Sequence, residues 1–162
     1  MKPRLLFLLL AATLHAQNAF LLPQEHNLLV NTLTKKLRHA THAITVITDR
    51  LHASWLKKEL KTAAKKGVNI TLITQGEDDT EALALYQNIT IRRLHAIDSP
   101  YYRGRLSLTL FYIDADTPCF GTTPLDERVL KQDVSWFTCK AKNLPPTLGY
   151  NLLLQSTPYL KL

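Results

Sequence analysis

The chain has 162 residues, 46% of them hydrophobic, and its 20 basic residues outnumber 13 acidic ones to give a formal net charge of +7. This length suits one compact domain and no more. The hydrophobic share excludes an intrinsically disordered chain. The positive charge favours partners that carry negative charge, such as nucleic acids or anionic lipid head groups.

The N-terminal segment has the pattern of a secretory signal peptide. Two basic residues precede an apolar run over 5–12, and an acceptable cleavage context ends at Ala16. The run is too short to span a membrane comfortably, and no Cys follows it as a lipoprotein anchor would need. We therefore expect a signal peptide at 1–16, a single exported domain at 17–162, and a location in the periplasm or outside the cell. An uncleaved anchor is the alternative.

Apolar periodicity predicts alternating helices and strands along the rest of the chain. Leu29, Leu33 and Leu37 recur at helical spacing, and Gly67 is typical of a helix C-terminus. In chain order we predict a helix ending near Ala40, a strand at 43–48, a helix at 49–66, a strand at 68–74, a helix at 77–86, a strand at 89–94, a strand at 106–113, a short strand at 119–120, a helix at 125–131, a strand at 134–141 and a final helix or cap at 148–162. This alternation indicates an α/β fold.

The segment at 106–123 is the most informative part of the sequence. Residues 106–113 alternate so that Ser107 and Thr109 share one face and leucines occupy the other, which predicts a strand with one apolar side. The segment at 114–118 is rich in Asp and Pro and is typical of a tight turn. A second short strand then leads into a glycine and two threonines.

This layout resembles the active site of the phospholipase D superfamily, written HxKxxxxD and followed seven residues later by G-S-x-N. Aligned on Asp114, the corresponding residues are Ser107 at the nucleophilic histidine, Thr109 at the lysine, Gly121 at the glycine, Thr122 at the serine and Pro124 at the asparagine. The segment at 63–73, AAKKGVNITLI, is similar to the A-x-x-R-G-V-x-V-x-x-L segment of bacterial endonuclease-like members.

The resemblance implies a phospholipase D-like α-β-α sandwich, with a mixed sheet flanked by helices. The order and spacing of elements over 20–123 match a member that carries a single motif. A groove built from two motifs would then require the chain to pair with itself.

The departures from the motif imply that the superfamily's chemistry is absent or different in this chain. In that family one imidazole attacks phosphorus and a second protonates the leaving group, while Lys and Asn hold the non-bridging oxygens. Ser107 cannot shuttle protons near pH 7 as His can, and no base stands beside it in the motif. His52 and His95 are the histidines that could lie near the mouth of the groove, but neither has the family's catalytic context, and a surface or helix residue is the favoured alternative for each.

We therefore expect a pseudoenzyme that binds a phosphodiester, nucleic acid before phospholipid, and does not hydrolyse it. No catalytic residue is expected at the degenerate motif positions, which are Ser107, Thr109, Asp114, Gly121 and Thr122. One alternative is an active nuclease or phospholipase whose catalytic residues come from elsewhere. Another is a structural partner of an active paralogue.

Most of the positive excess lies in two predicted helices. Residues 35–66 include nine basic and two acidic residues, which gives a local net charge of +7. A basic helical face suits a phosphate backbone, although solvated lysines are the alternative. Arg105 shares the face of Ser107 and Thr109, so its guanidinium could replace the lost lysine; pairing with a nearby Asp is the alternative. The predicted ligand-binding set is Arg105, Ser107, Thr109, Thr122, Lys57, Lys58 and Lys61.

The chain contains two cysteines, which an exported protein usually pairs. Cys119 lies on the second hairpin strand and Cys139 on the last predicted strand, and the family's sheet brings these strands together. The resemblance therefore implies a disulfide, with two buried thiols as the alternative. There is no C-x-x-C and the six His are scattered, so we predict neither a metal site nor a cofactor.

Overall fold

The structure, a computed structural model, describes residues 19–76, 80–94, 98–99, 102–103, 106–114, 118–139 and 148–158. The described helices are α1 (His26–His39), α2 (Ser54–Lys65), α3 (Glu127–Gln132) and α4 (Leu148–Leu154). The described strands are β1 (Ala19–Leu22), β2 (Ala43–Thr48), β3 (Asn69–Thr74), β4 (Ile89–Leu94), β5 (Asp98–Ser99), β6 (Tyr102–Arg103), β7 (Thr109–Ile113), β8 (Cys119–Gly121), β9 (Ser135–Thr138) and β10 (Ser156–Pro158).

Eight of these strands form one mixed sheet in the order β1-β9-β8-β7-β2-β3-β4-β10. β2, β3 and β4 are parallel neighbours, whereas the other pairs in the sheet are antiparallel. β5 and β6 form a separate antiparallel pair. The predicted α/β architecture with a mixed sheet and flanking helices is confirmed.

The core has two parts, one on each face of the sheet. On the first face the leucines of α1 (Leu29, Leu33 and Leu37) pack with those of α2 against the strands. On the second face a smaller cluster, which includes Leu110, is covered by the side chains of α4. Strands buried on both faces read as nearly continuous apolar runs, which is why β2 and β3 are visible in the sequence.

The strand predicted at 106–113 differs from the prediction in length and in burial. It begins at Thr109, and both of its faces are covered, with Phe111 in the larger core and Leu110 in the smaller one. The predicted single apolar side is wrong because buried clusters pack on both faces of the sheet at β7, which lies between β8 and β2.

Other predicted elements also change in the structure. The helix predicted at 77–86 is replaced over 80–88 by turns, with i-to-i−3 bonds such as Leu83 N to Thr80 O (2.8 Å); residues 77–79 lie outside the described part. The short edge strands β1 and β10 were not predicted. α2 starts at Ser54 rather than at 49, because the intervening residues connect β2 to the loop after β8 through a bridge to Leu125.

The predicted disulfide is confirmed, since Cys119 of β8 is bonded to Cys139, the residue that follows β9. The predicted signal peptide at 1–16 lies outside the described residues. Within the described ranges no helix is long and apolar enough to cross a membrane.

Candidate functional site

The parallel strands all end at one edge of the sheet, which we call the carboxyl edge. There Thr48 of β2 is in register with Thr74 of β3, and Thr74 with Arg93 of β4. β7 runs in the opposite direction and begins at this edge, with Thr109 opposite Gly121 of β8. In open α/β sheets ligands bind outside the carboxyl ends of the strands, so the candidate site lies here.

Thr109, at the motif's lysine position, is fully buried at this edge. Its hydroxyl donates to Thr123 O at 2.7 Å and lies 3.0 Å from the hydroxyl of Thr48, which in turn accepts from Leu125 N at 3.1 Å. Thr109 therefore anchors the loop after β8 to β2. Its burial does not fit the expectation that it contacts a ligand.

Gly121, at the motif's glycine position, is required by packing. A Cβ on Gly121 would overlap the ring of Phe137, which is fully buried on the neighbouring strand. The next residue, Thr122, is exposed, and it pairs with β9 through its backbone N–H, which donates to Trp136 O at 3.1 Å. The glycine thus lets β8 and β9 approach while Thr122 stays at the surface.

Ser107, at the histidine position, is exposed just before β7 begins. The residue before it is held in place, because Leu106 N donates to the side-chain oxygen of Gln75 at the end of β3. Arg105, which was predicted to replace the motif's lysine, lies outside the described residues. The structure therefore brings Ser107, Thr109, Gly121 and Thr122 to one edge of the sheet.

Asp114 lies at the other end of β7, which we call the amino edge. It is five residues from Thr109, about 17 Å along a strand. Its carboxylate accepts from the backbone N–H groups of Thr41 (2.8 Å), His42 (2.8 Å) and Ala43 (2.9 Å) and from the Thr41 hydroxyl (3.2 Å). These bonds, chiefly the one from Ala43, lower the pKa of Asp114 from 3.8 to about 2. Asp114 thus fixes the start of β2 and is not part of the carboxyl edge.

The basic residues of the two helices are divided between the two edges. α2 begins after the carboxyl edge, so Lys57 and Lys58 lie in the half nearer to it, and Lys61 is central. The last turn of α1 and the end of α2 lie toward the amino edge. There an open cavity of about 440 Å³ is lined in part by Lys35, Lys36 and Asp114. Lys35 and Lys36 therefore lie near the amino edge, whereas Lys57 and Lys58 lie toward the carboxyl edge.

Part of this positive charge holds α1 to α2. Arg38 donates to both carboxylate oxygens of the buried Glu59, at 2.9 and 2.7 Å, and this interaction lowers the pKa of Glu59. Lys66 donates to Arg38 O at 3.1 Å. These two basic side chains have structural partners. In the described part of the chain no cluster of three His, Cys, Asp or Glu could hold a metal ion.

No family model and no curated protein sequence matches the chain. Solved structures do match it. NucT from Helicobacter pylori is similar with a TM-score of 0.76 at 14% identity, over 87% of this chain and 97% of NucT. Nuc from Salmonella typhimurium, described as a phospholipase D family member, is similar with a TM-score of 0.58 at 16% identity, over 88% of this chain and 97% of Nuc.

TrmBL2, an archaeal chromatin protein described as showing a novel mode of DNA binding, is similar with a TM-score of 0.56 at 15% identity. The likeness covers 96% of this chain and 60% of TrmBL2. At these identities the likenesses concern the fold. The chain has the phospholipase D fold that the resemblance implied.

Proposed function

We propose that this protein binds a phosphodiester polyanion, nucleic acid before anionic phospholipid, at the carboxyl edge and does not hydrolyse it. The fold supports a ligand that contains phosphate, because Nuc is described as a phospholipase D family member and TrmBL2 as a DNA-binding protein. The net positive charge of the chain supports a polyanion.

The burial of Thr109 is the observation that best supports a protein that does not hydrolyse its ligand. The side chain at the lysine position is 0% exposed and its hydroxyl is bonded to Thr123 O, so it cannot hold a phosphate oxygen. The side chain at the histidine position is the serine hydroxyl of Ser107, which has no imidazole chemistry. We propose Ser107 and Thr122 as ligand-binding residues at the edge, with Lys57, Lys58 and Lys61 binding the phosphates that extend beyond it. Arg105, which lies outside the described residues, is proposed as a ligand-binding residue from the sequence alone.

One observation favours a second candidate function, an active phosphodiesterase with different catalytic residues. His52 is exposed, and its backbone N–H donates to Leu125 O at 2.9 Å, beside the loop that carries Thr122. This places an imidazole-bearing residue next to the candidate site. Hydrolysis that is abolished in His52→Gln would support this second function over simple binding.

The test combines binding and turnover on the purified mature domain. Anisotropy of labelled single-stranded and duplex oligonucleotides, and flotation with anionic vesicles, are measured across a series of salt concentrations. We expect nucleic-acid binding whose log-log salt dependence has a slope of roughly −0.9 per duplex phosphate neutralised. We also expect no turnover of a chromogenic bis-ester, of nucleic acid or of phosphatidylcholine.

The lysines are tested by removing three charges together. Combining Lys57→Ala, Lys58→Ala and Lys61→Ala should flatten the salt slope, by about one unit for each lysine that binds a phosphate in the wild type. Lys131→Ala is the matched control, because its ammonium is already paired with Glu127 at 2.7 Å. Binding that is insensitive to salt would favour instead a structural partner of an active paralogue.

We also propose that the domain at 17–162 is exported and acts as a homodimer or with an active paralogue. The bond between Cys119 and Cys139 supports export, because disulfides persist mainly in oxidising compartments. Intact mass of protein from the native envelope should show a chain that begins near Gln17. Retention of Met1 in cytoplasmic protein would contradict the signal peptide.

A further inference from the structure

Three consecutive residues, at the end of β3 and directly after it, contact three other parts of the chain. The first, Thr74, is fully buried, and its hydroxyl oxygen accepts from the Arg93 guanidinium on β4. The second, Gln75, accepts from Leu106 N with its side-chain oxygen, which fixes the residue before Ser107. The end of β3 therefore joins the motif's segment to a half-buried arginine.

The third residue, Gly76, makes room for a second arginine. A Cβ at Gly76 would lie 2.8 Å from Arg50 Cγ and 3.0 Å from a carboxylate oxygen of Asp49, so a larger residue would displace Arg50. The backbone N–H groups of Gln75 and Gly76 both donate to Asp49 O, at 3.1 and 2.7 Å. These bonds tie the end of β2 to the end of β3. They hold Arg50 against Gly76, with 43% of its side chain exposed.

We propose that Arg50 and Arg93 are the cations that hold the ligand's phosphate at the carboxyl edge, a role that rests on the proposed function. Thr109 supplies no charge there. A guanidinium can take over the binding of non-bridging oxygens, since its planar fork matches two of them at once. Ser107, exposed and adjacent to the anchored Leu106, adds a hydroxyl donor. The phosphate site has thus moved from β7 to the ends of β2, β3 and β4.

The alternative to phosphate binding is that the two arginines pair with acidic residues of the chain itself. Asp49 lies 3.3 Å from Arg50 Nε and offsets part of its charge. Three further acidic residues follow Gly76 in the sequence, at 77–79. If both arginines serve only as ion-pair partners for these carboxylates, their removal should lower stability without changing affinity for phosphate.

The experiment measures affinity and thermal stability on the same variants of the mature domain. The probes are a labelled single-stranded oligonucleotide and, as a competitor for the edge alone, a short dinucleotide. Arg50→Gln and Arg93→Gln should each weaken dinucleotide binding about tenfold, as expected when one charge-assisted hydrogen bond is removed. Arg50→Lys and Arg93→Lys should recover part of that affinity, because they keep the charge but not the fork.

Lys35→Gln is the matched control, since it removes one exposed charge near the opposite edge. It should leave dinucleotide affinity unchanged. Wild-type protein that binds neither probe at low salt would refute the proposed function and this role with it. Wild-type binding that survives both glutamine substitutions, with a lower melting temperature, would refute only the role of the arginines. If a glutamine variant fails to fold, the dinucleotide affinity of the lysine variant at the same position is compared with that of the wild type instead.

Discussion

The hydroxyl oxygens of Thr48 and Thr109 lie 3.0 Å apart at the carboxyl edge, where β2 ends and the neighbouring strand β7 begins. Both side chains are fully buried. Together with the bonds to Thr123 O and from Leu125 N, this contact holds two strands and a loop together. The role of Thr109 that the structure shows is therefore a structural one.

This pair gives the first prediction. Thr109→Val keeps the shape of the side chain but leaves Thr123 O without its donor, so we expect the free energy of unfolding to fall by about 1–3 kcal/mol. Introducing the histidine and lysine of the superfamily motif with Ser107→His and Thr109→Lys should destabilise the protein further and should not produce turnover. Urea denaturation and a bis-ester assay measure the two effects. A folded double variant that hydrolyses the ester would show that the edge is still a competent active site.

Gly121 and Phe137 provide the second prediction. Gly121→Ala forces a methyl group into the Phe137 ring, so we expect stability to fall by about 1–3 kcal/mol, typical of overpacking. In a Phe137→Leu background the same substitution should cost less, because the ring atoms it would meet are gone. A double-mutant cycle by denaturation measures this coupling. If the losses of stability from the two substitutions simply add, the Phe137 ring is not the reason that a glycine is needed at position 121.

The sequence predicted elements whose signals are local and repeated. The leucines at 29, 33 and 37 indicated α1, and the apolar runs of β2 and β3 indicated buried parallel strands. The edge strands β1 and β10 were missed because each is only three or four residues long and is defined by its partner. The turns at 80–88 were mistaken for a helix because one buried apolar residue, Leu83, supports a turn as well as a helix.

Alignment on a motif gives the position of a residue in the chain, but not its burial or the edge of the sheet at which it lies. Ser107, Gly121 and Thr122 are at the carboxyl edge, whereas Asp114 is at the opposite end of β7. Arg50 and the end of β3, which we propose to hold the ligand's phosphate, were not predicted as site residues from the sequence. The sequence did contain a signal for this edge of the sheet, since two buried strands each end in a polar residue, Thr48 and Thr74.

The third prediction concerns the bond between Cys119 and Cys139, which are 20 residues apart. Closing a loop of this length contributes on the order of 3 kcal/mol through the entropy of the unfolded chain. The double variant Cys119→Ala, Cys139→Ala should be less stable by about that much. Reducing agent should destabilise the wild type and leave the double variant unaffected. Two thiols titrated in unfolded, unreduced protein would contradict the bond.

The last prediction concerns the pH dependence that Asp114 confers. Its pKa in the folded protein is about 2, below the ordinary 3.8, so the folded state favours the ionised carboxylate. The stability that this carboxylate contributes is therefore present above about pH 4 and is lost as the pH falls from about 4 towards 2. Asp114→Asn should lower the free energy of unfolding at pH 7 by about 1.5–3 kcal/mol, the range for hydrogen bonds to a charged group. It should also remove part of the acid sensitivity.

Asparagine is the appropriate substitute because Asp114 has a φ of 50°, a left-handed conformation that Asn tolerates better than most residues. Asp133→Asn is the matched control, since it removes the same charge from an exposed position after α3. Urea unfolding at pH 7, 4 and 3 should show the difference between wild type and Asp114→Asn shrinking as the pH falls, while Asp133→Asn stays close to wild type throughout. A difference that is constant with pH would mean that the carboxylate's charge plays no part in holding the start of β2.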